Sequence, residues 1–497
     1  MLLSQDPKAQ ELREAVAAPM FTFEVLQHIK SDAPTNAISP IPQYGLLAGL
    51  VQDPKNDSLQ EENSSEPIDR RLFFNISSPS STFICGSQGS GKSHTLSCML
   101  ENALFPSDVS KLPHPLAGIV FHYDTFISDV RGSPCEAAFL ASNQDIKVKV
   151  LCAPTNVATI KKIYDGMGVE IIPLRIGQKH LNTKRMLDLM AVKQDDGLLP
   201  LYLYKVKSIL REMRLEQQEK MSRRVLSEAT FDYGSFKRRI LGSHLTPAQV
   251  APLEQRLETL ESFMPPQQVI SFGVRGNSST QGLGCDWTPK ANFVGQPGHL
   301  TIVDLSCPCM SPQDACALFN ICLGIFMEQG LKVGLVVALD EAHKYMDTSA
   351  EASSLTETLL STVRLQRHLG TRIIVSTQEP TVSPALIDLS SVTIVHRFTS
   401  PTWLKTLEEH LAGASSILLE EENDSETKTK GNVAKKIFSE IVKLRVGEAL
   451  LFSPSAVVEL ETAEDGSRQL KGMGGGYLKI RTRARLTTDG GKSEMAS

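Results

Sequence analysis

After residue 71, short apolar runs alternate along the chain with longer segments of mixed polarity. The apolar runs predict strands at Leu72–Ile76, Thr82–Cys85, Gly118–Tyr123, Lys147–Cys152, Val169–Leu174, His299–Leu305, Gly334–Leu339, Arg372–Ser376, Val392–Phe398 and Gly447–Phe452. Segments with apolar positions at helical spacing, such as Ala315–Gln329 and Thr356–Leu369, lie between several of these runs. Apolar strands separated by helices are typical of a parallel sheet that is covered on both faces. The pattern therefore predicts an α/β fold with a mostly parallel sheet flanked by helices.

Three stretches and the chain end depart from this alternation. The first 70 residues are polar and rich in proline, which predicts a partly disordered arm in which Tyr44–Val51 is one short ordered element. Helical spacing dominates a later stretch, and a segment rich in Gly, Ser and Asn follows it. The predicted organisation is an arm at 1–70, a first core part at 71–181, a helical insertion at 182–270, a linker at 271–298, a second core part at 299–486 and a frayed tail at 487–497.

A glycine-rich loop directly follows the predicted strand Thr82–Cys85. Gly86-Ser87-Gln88-Gly89-Ser90-Gly91-Lys92-Ser93 matches G-x-x-x-x-G-K-[ST] at every fixed position, and His94 continues into a predicted helix. Such a loop turns tightly and directs backbone N–H groups at phosphate oxygens, and the helix adds the positive end of its dipole. Lys92 is predicted to reach the β- and γ-phosphates, and the Ser93 hydroxyl to bind Mg²⁺. We therefore predict that residues 86–94 bind ATP; without the flanking strand and helix, they could equally form an ordinary flexible loop.

Polar residues also end two later strands. Asp340-Glu341-Ala342-His343 follows Leu335–Leu339, and Gln378 follows the strand that ends in Ser376. In a parallel sheet these strand ends open on the ligand crevice. Asp340 can hold the coordination shell of Mg²⁺, and Glu341 can polarise the attacking water. Gln378 can position that water or sense whether the γ-phosphate is present. Two solvated acids at a helix start are the alternative, but the phosphate loop favours a hydrolytic site.

The composition restricts the possible functions but does not indicate one. The chain has 497 residues, of which 41% are hydrophobic and 22% charged, and its formal net charge is −5. It can bury a large core, and no chain-wide charge attracts it to nucleic acid or membrane. Residues 183–240 are an exception, since 13 Lys and Arg against 8 Asp and Glu give a local charge of +5. This excess is either a solvated helical face or a phosphate-backbone contact surface. Its most concentrated part holds Lys205, Lys207, Arg211, Arg214, Arg223 and Arg224.

Targeting and thiol signals predict an intracellular protein, cytoplasmic or nuclear. The first residues lack a basic segment followed by an apolar one, and the apolar runs are too short to span a bilayer. The cysteine count is nine, an odd number that favours reduced thiols over a disulfide framework. Cys307-Pro308-Cys309 has no second pair at zinc-site spacing, so we expect a structural loop there.

Taken in order, the motifs resemble those of the HerA–FtsK superfamily of P-loop ATPases. The matching segments are Gly86–Ser93, Ile302–Leu305, Val337–His343 and Gly370–Gln378, with Ile394–Phe398 and Leu444–Ala449 similar to the family's closing elements. The resemblance covers roughly residues 72–185 and 298–460. The combination of Asp-Glu-Ala-His with Ser-Thr-Gln is its specific part, because many NTPases share the phosphate loop.

The resemblance implies a RecA-like core that assembles into a ring, commonly a hexamer, with ATP held between subunits. An arginine of the neighbouring subunit would complete each site. Arg364, Arg367, Arg372 and Arg397 are candidates; position on the helix favours Arg367, and Arg397 is retained beside it. Family members move DNA or polypeptide with the ATP cycle. ATP hydrolysis transfers more directly than DNA pumping, because the chain shows neither a HerA-type β-barrel nor FtsK-type transmembrane segments.

Three functions remain open, and a fourth is rejected. The first is a ring-forming nucleic-acid translocase, and the second is a regulatory or scaffold NTPase that switches a protein partner contact through residues 182–270. A small-molecule kinase is weaker, because Glu341 suits water activation. An RNA helicase of the Asp-Glu-Ala-His class needs a second RecA-like domain with a Q-R-x-G-R motif, which Gln366–Gly370 matches only in part.

Overall fold

The protein is described by a computed structural model that covers residues 7–31, 40–51, 69–190, 201–222, 231–243, 245–271, 293–328, 333–410, 430–462 and 468–490. Its strands are β1 Met20–Thr22, β2 Tyr44–Leu50, β3 Arg71–Asn75, β4 Ser81–Cys85, β5 Ser110–Lys111, β6 Ala117–His122, β7 Lys147–Cys152, β8 Glu170–Pro173, β9 His299–Asp304, β10 Leu335–Leu339, β11 Thr371–Thr377, β12 Val392–His396, β13 Glu448–Phe452, β14 Val457–Thr462, β15 Arg468–Gly472 and β16 Leu478–Thr482. The ten strands predicted from the apolar runs are all present, with ends shifted by one or two residues.

The helices lie between the strands of the parallel part and in the predicted insertion. They are α1 Pro7–Ala17, α2 Phe23–Ser31, α3 Lys92–Leu104, α4 Val157–Ile163, α5 Thr183–Met190, α6 Leu201–Ser222, α7 Tyr233–Leu241, α8 Pro247–Ser262, α9 Pro266–Ser271, α10 Pro312–Glu328, α11 Ala350–Arg364, α12 Gln366–Leu369, α13 Pro384–Asp388, α14 Pro401–His410 and α15 Lys430–Lys443. None of these described helices is both long and apolar enough to cross a membrane.

All sixteen strands join one sheet that has a parallel and a largely antiparallel half. The order is β15-β14-β1-β3-β2-β16-β13-β12-β4-β11-β10-β6-β9-β7-β8, with β5 paired to β2. From β12 to β8 every neighbouring pair is parallel, whereas β12 to β1 pair antiparallel. The predicted α/β class with a mostly parallel core sheet flanked by helices is confirmed.

Both faces of the parallel half are covered, which explains why its strands are apolar throughout. Along β6, Ile119 and Phe121 face a core that includes α10 and α11, and Val120 faces the opposite core, which includes α3. Successive side chains of a strand point to opposite faces, so a strand covered on both sides needs apolar residues at every position.

The residues between 183 and 271 that the structure describes form five helices and no strand, in the stretch where the sequence predicts a helical insertion. These helices share the hydrophobic core of α10 and α11. Two ion pairs reinforce the contact: Arg185 with Glu328 at 2.6 Å, and Arg256 with Glu351 at 2.5 Å. The insertion therefore packs on α10 and α11, the helices that cover this face of the sheet.

The expectation of a partly disordered arm at 1–70 is wrong for residues 7–31, which form α1, β1 and α2. The short ordered element expected at Tyr44–Val51 is present as β2, and both β1 and β2 join the sheet. Phe21, Tyr44 and Phe73 pack their rings together in a separate small core. The proline-rich composition concealed these elements, because each is short and gains its stability from distant strands. Residues 1–6, 32–39 and 52–68 lie outside the described residues.

The expected fraying from residue 487 is wrong for 487–490. Thr487 is buried, and its backbone N–H and its hydroxyl both donate to Glu101 of α3. The backbone N–H of Thr488 donates to the Ser142 hydroxyl. Residues 491–497 and positions 272–292 of the predicted linker lie outside the described residues.

Candidate functional site

The carboxyl ends of three neighbouring parallel strands bring the predicted motifs to one edge. Strand β11 lies between β4 and β10, with Thr377 opposite Cys85 and Val375 opposite Leu339. The phosphate loop, Gln378 and the acidic pair each begin within two residues of these paired positions. Neighbouring strands lie about 4.8 Å apart, so the three motifs fall within roughly 10 Å across the sheet. The chain folds this way because each motif directly follows a buried strand.

The phosphate loop has the backbone geometry that its glycines permit. Gly86, Gly89 and Gly91 have φ values of 151°, 71° and 113°, which favour glycine. Helix α3 begins at Lys92, and no side chain caps it at Gly91. The first N–H groups of a helix lack partners within the helix, and here Lys92 itself is buried. A buried and uncapped helix start fits an anionic ligand such as a phosphate chain.

The loop is supported from behind by residues of β12 and of the turn before β13. Gly447 N donates to Ser90 O at 3.1 Å, and a Cβ at Gly91 would lie 3.0 Å from Gly447 N. His396 donates from Nδ1 to the Glu448 carbonyl, and its Nε2 accepts from Thr95 of α3 at 3.0 Å. Burial lowers the pKa of His396 to about 4, so this ring is neutral at pH 7. Its two hydrogen bonds fix the position of α3 relative to β13 behind the phosphate loop.

Lys92 lies beneath the loop and faces the acidic pair. Its Nζ donates to Ser87 O at 3.1 Å. Burial lowers the pKa of Lys92, and the negative charges of Glu341 and Asp340 act in the opposite direction. The amine therefore lies in the field of both carboxylates, where it can exchange a backbone carbonyl for a phosphate oxygen.

Glu341 has a strained backbone and a defined side-chain position. Among the described residues it is the one non-glycine with positive φ, at 48°. This left-handed conformation costs about 1 kcal/mol or more and occurs preferentially at functional sites. Gln378 Nε2 donates to Glu341 Oε2 at 3.0 Å, and His343 Nδ1 lies 3.4 Å from the same oxygen. Burial lowers the pKa of His343, whose Nδ1 accepts from the Gln378 backbone N–H at 3.4 Å.

Asp340 is held from the side opposite to the phosphate loop. His122, at the end of β6, has Nδ1 3.1 Å from Asp340 Oδ2, and the Cys135 thiol donates to the same oxygen at 3.6 Å. Burial raises the pKa of Asp340, but the hydrogen bond and charge of His122 outweigh it and hold the pKa below its usual value. Asp340 Oδ1 is buried and has no hydrogen-bond partner in the described part of the chain.

The four candidate arginines lie in different environments. Arg372 is buried and donates to the carbonyls of Ile76, Ser77 and Gly370, which makes it a structural residue. Arg364 and Arg367 are exposed before β11, at the edge of the sheet opposite to Gln378. Strand β11 has seven residues, so at about 3.3 Å per residue roughly 20 Å separates Arg367 from Gln378.

Arg397 lies beside the phosphate loop of its own chain. Its carbonyl accepts from the backbone N–H of Ser87 at 2.9 Å and from the Ser87 hydroxyl at 2.8 Å, and its side chain is exposed. His94 faces away from the expected phosphates, because its Nε2 lies 2.7 Å from Arg483 O. The structure thus brings together Lys92, Asp340, Glu341 and Gln378 with the loop, while Arg367 lies apart.

Sequence reasoning missed several residues around the site. His122 had a signal, because it is a polar residue at the end of an apolar strand, as Asp340 is. Cys135 lies in a loop with no local pattern that marks it, and the contact of Gly447 with the phosphate loop had no signal beyond its place in the segment Leu444–Ala449. Of the predicted basic surface, Lys205, Arg211 and Arg214 are exposed on α6 beside Glu212 and other acids, while Arg223 and Arg224 lie outside the described residues. The eight cysteines that the structure describes are unpaired.

No protein-family model and no curated protein sequence matches this chain. Among solved structures, it is similar to VirB4 of Thermoanaerobacter pseudethanolicus, with 11% identity, a TM-score of 0.47 and coverage of 82% of this chain and 90% of that one. The genome packaging NTPase B204 from Sulfolobus turreted icosahedral virus 2, in complex with ATP-gammaS, has 15% identity, a TM-score of 0.23 and coverage of 38% and 72%.

The cytoplasmic domain of the Thermomonospora curvata type VII secretion ATPase EccC has 12% identity, a TM-score of 0.29 and coverage of 92% of this chain and 32% of that one.

Proposed function

We propose that this protein binds ATP with Mg²⁺ at the phosphate loop and hydrolyses it. The observation that carries the proposal is the convergence of the uncapped start of α3, Lys92, the Asp340–Glu341 pair and Gln378 on one edge of the sheet. A phosphate chain needs backbone donors and a cation, and hydrolysis needs a carboxylate that can act on water. The carboxyl ends of β4, β10 and β11 supply both the phosphate-binding groups and the carboxylate.

Binding would use groups that are already in place. The N–H groups of the loop and of the first turn of α3 would receive the phosphate oxygens. Lys92 would turn from the Ser87 carbonyl to the β- and γ-phosphates. His396 and Gly447 keep the loop in this shape without touching the ligand.

The residues also fit a magnesium ion. Asp340 Oδ1 is a buried acceptor without a hydrogen-bond partner among the described residues, and Ser93 is the hydroxyl residue in the first turn of α3. Bound Mg²⁺ would neutralise charge on the phosphate oxygens. Ser93 and Asp340 would hold it, and His122 and Cys135 would fix the orientation of Asp340.

Glu341 is the proposed base, and Gln378 the residue that orients it. The Gln378 amide fixes one carboxylate oxygen of Glu341, which leaves the other to accept a proton from water. The strained backbone at Glu341 sets the direction of this side chain. Because Gln378 is next to Thr377 at the end of β11, it would also contact the γ-phosphate from the strand between the loop and the acids.

The decisive experiment compares ATP binding and turnover in Glu341→Gln. Loss of a general base lowers rates by about 10²–10⁴-fold, so we expect turnover to fall in this range while ATP affinity stays within a few-fold. Phosphate release and fluorescent-nucleotide titration measure the two quantities. Glu357→Gln, which changes an exposed carboxylate on α11, is the matched control and should turn over normally. Normal turnover in Glu341→Gln would remove Glu341 from this role.

We further propose that the protein works as a ring-forming translocase of nucleic acid. Two observations support it: Arg367 is exposed but roughly 20 Å from Gln378, so it is free of its own site and available to a neighbouring subunit, and α6 presents basic side chains. The ATPase rate with single-stranded DNA, duplex DNA and RNA, beside the native mass of the ATP-bound protein, tests this. A rate unchanged by every nucleic acid would exclude translocation on nucleic acid.

A regulatory or scaffold NTPase is the second candidate, and the packing of the insertion favours it. Arg256 of α8 pairs with Glu351 of α11, and α11 follows the acidic motif in the chain. A nucleotide-dependent shift of Asp340-Glu341 would therefore reach the insertion through α11. This candidate expects partner binding that changes in Lys92→Ala, whereas the translocase expects stimulation by nucleic acid.

A further inference from the structure

A second cluster of metal-binding side chains lies beside the proposed ATP site. His122, Cys135 and Asp340 each offer one ligand atom, and these atoms all lie within 4.8 Å of one another. All three residues are buried, and among the described residues no other group of this kind occurs. The proposed function uses Asp340 for Mg²⁺ but gives the imidazole and the thiol no ligand of their own.

The distances suit a small tetrahedral ion. Asp340 Oδ2 is 3.1 Å from His122 Nδ1 and 3.6 Å from Cys135 Sγ. With bonds of about 2.0–2.3 Å, two ligand atoms of a tetrahedral zinc site lie roughly 3.3–3.7 Å apart, so a small adjustment admits the ion. Asp340 Oδ1 or a water molecule would provide the fourth ligand.

The donor chemistry discriminates between metals. A thiolate, an imidazole and a carboxylate form a set that suits Zn²⁺, whereas Mg²⁺ prefers oxygen ligands alone. One thiolate and one carboxylate also balance the two charges of the ion, which matters in a buried site. On binding, the thiol proton and the proton shared between His122 and Asp340 would leave to solvent.

The surroundings hold the ligands. The backbone N–H of Cys135 donates to Tyr164 Oη at 2.9 Å, and Tyr164 donates to Asp304 Oδ2 at 2.6 Å. His122 is fixed by its position at the end of β6. The loop before Cys135 lies at the surface, since Phe126 and Val130 in it are each 85% exposed.

We propose that His122, Cys135 and Asp340 form a Zn²⁺ site that competes with Mg²⁺ for Asp340. Zinc would draw the Asp340 carboxylate toward β6 and away from the Ser93 hydroxyl. Zinc binding is independent of the proposed function, whereas inhibition of ATP turnover by zinc rests on it.

The binding experiment uses the full chain without nucleotide. Zn²⁺ is titrated in competition with a chromophoric chelator, and Co²⁺ is used as a spectroscopic probe, since a cysteine ligand gives a thiolate-to-cobalt charge-transfer band. We expect one tightly held equivalent and that band in the wild type. Cys135→Ser keeps a hydroxyl donor to Asp340 but loses the soft ligand, so the band should vanish and the affinity fall more than the roughly 10–100-fold typical of a second-shell change. His122→Asn should likewise weaken binding.

Two matched controls identify the thiol. Cys309→Ser removes the exposed cysteine, which could take up zinc at the surface, and Cys322→Ser removes a buried cysteine remote from the cluster. Both should retain the band and the affinity. No tight equivalent in the wild type, or an unchanged band in Cys135→Ser, would overturn the proposal. Far-ultraviolet circular dichroism confirms that each variant is folded.

A second arm measures ATP turnover at constant Mg²⁺ with increasing Zn²⁺. Inhibition of the wild type at concentrations that fill the site, with resistance in Cys135→Ser, supports competition at Asp340. Equal inhibition of both would refute competition at this site. If the wild type hydrolyses no ATP at all, the proposed function fails, and the binding arm still decides whether the zinc site exists.

Discussion

The parallel and antiparallel halves of the sheet differ in what their strand ends carry. In the parallel half, β4, β11, β10 and β6 all end at one edge, with the phosphate loop, Gln378, Asp340 and His122 in that order. In the antiparallel half, consecutive neighbours run in opposite directions, so their ends alternate between the two edges. Only the parallel arrangement can gather successive polar termini into one site.

The antiparallel half supports this edge rather than forming it. Strand β13 lies between β12 and β16, and Gly447, just before β13, contacts the phosphate loop. The segment after β16 covers α3, where Arg483 pairs with Glu101 at 2.7 Å. The comparison predicts that changes at the carboxyl edge abolish activity in a folded protein, whereas changes at the junctions between the halves reduce stability.

The largest expected effect comes from Lys92→Ala at the carboxyl edge. We expect ATP affinity to fall by about 100-fold or more, because a charge-assisted contact to the phosphates is lost in a site shielded from water. Fluorescent-nucleotide titration measures the affinity, and a urea denaturation curve measures stability. Tight ATP binding by Lys92→Ala would contradict the proposal that ATP binds at the carboxyl edge of the parallel half.

A smaller effect is expected from Arg372→Ala at the junction with β3. The change leaves the carbonyls of Ile76, Ser77 and Gly370 without their shared donor, so we expect about 2–4 kcal/mol loss in the free energy of unfolding. Arg367→Ala, at an exposed position nearby, is the control and should change stability by no more than about 0.5 kcal/mol. If both variants unfold at the same urea concentration, Arg372 does not join the halves.

The smallest effect concerns pH and Glu101. Burial raises the pKa of Glu101, but hydrogen bonds from Thr487 and the Arg483 charge outweigh it and lower the pKa below its usual value. A carboxyl with a lower pKa in the folded state contributes stability above its unfolded pKa, and this contribution disappears as the pH falls through the folded pKa. Stability should therefore decrease on acidification below about pH 5.

Glu101→Gln tests this linkage. We expect the variant to lose about 1–3 kcal/mol at pH 7 and to show a weaker dependence on pH below 5, as measured by urea denaturation at several pH values. Glu24→Gln changes an exposed carboxylate of α2 and should keep the wild-type profile. A Glu101→Gln profile parallel to that of the wild type would show that Glu101 does not link the C-terminal segment to α3.

Much of the parallel half was predictable because its signals are local. Each strand is an apolar run, each motif follows its strand directly, and alternation of strands with helices favours parallel pairing. The pairing of Gln378 with Glu341 follows from β11 lying next to β10. The antiparallel half was less predictable, because β1 has three residues and pairs with β14, and β16 pairs with β2, each hundreds of positions away along the chain.

The sequence alone determined the phosphate loop, the acidic pair and the class of fold, since these depend on residue types at short spacing. Only the tertiary structure decided that Arg372 is structural, that His122 and Cys135 hold Asp340, and that β1 and β16 join the sheet. These features depend on the register between distant strands, and register is set by packing over the whole sheet rather than by any local pattern.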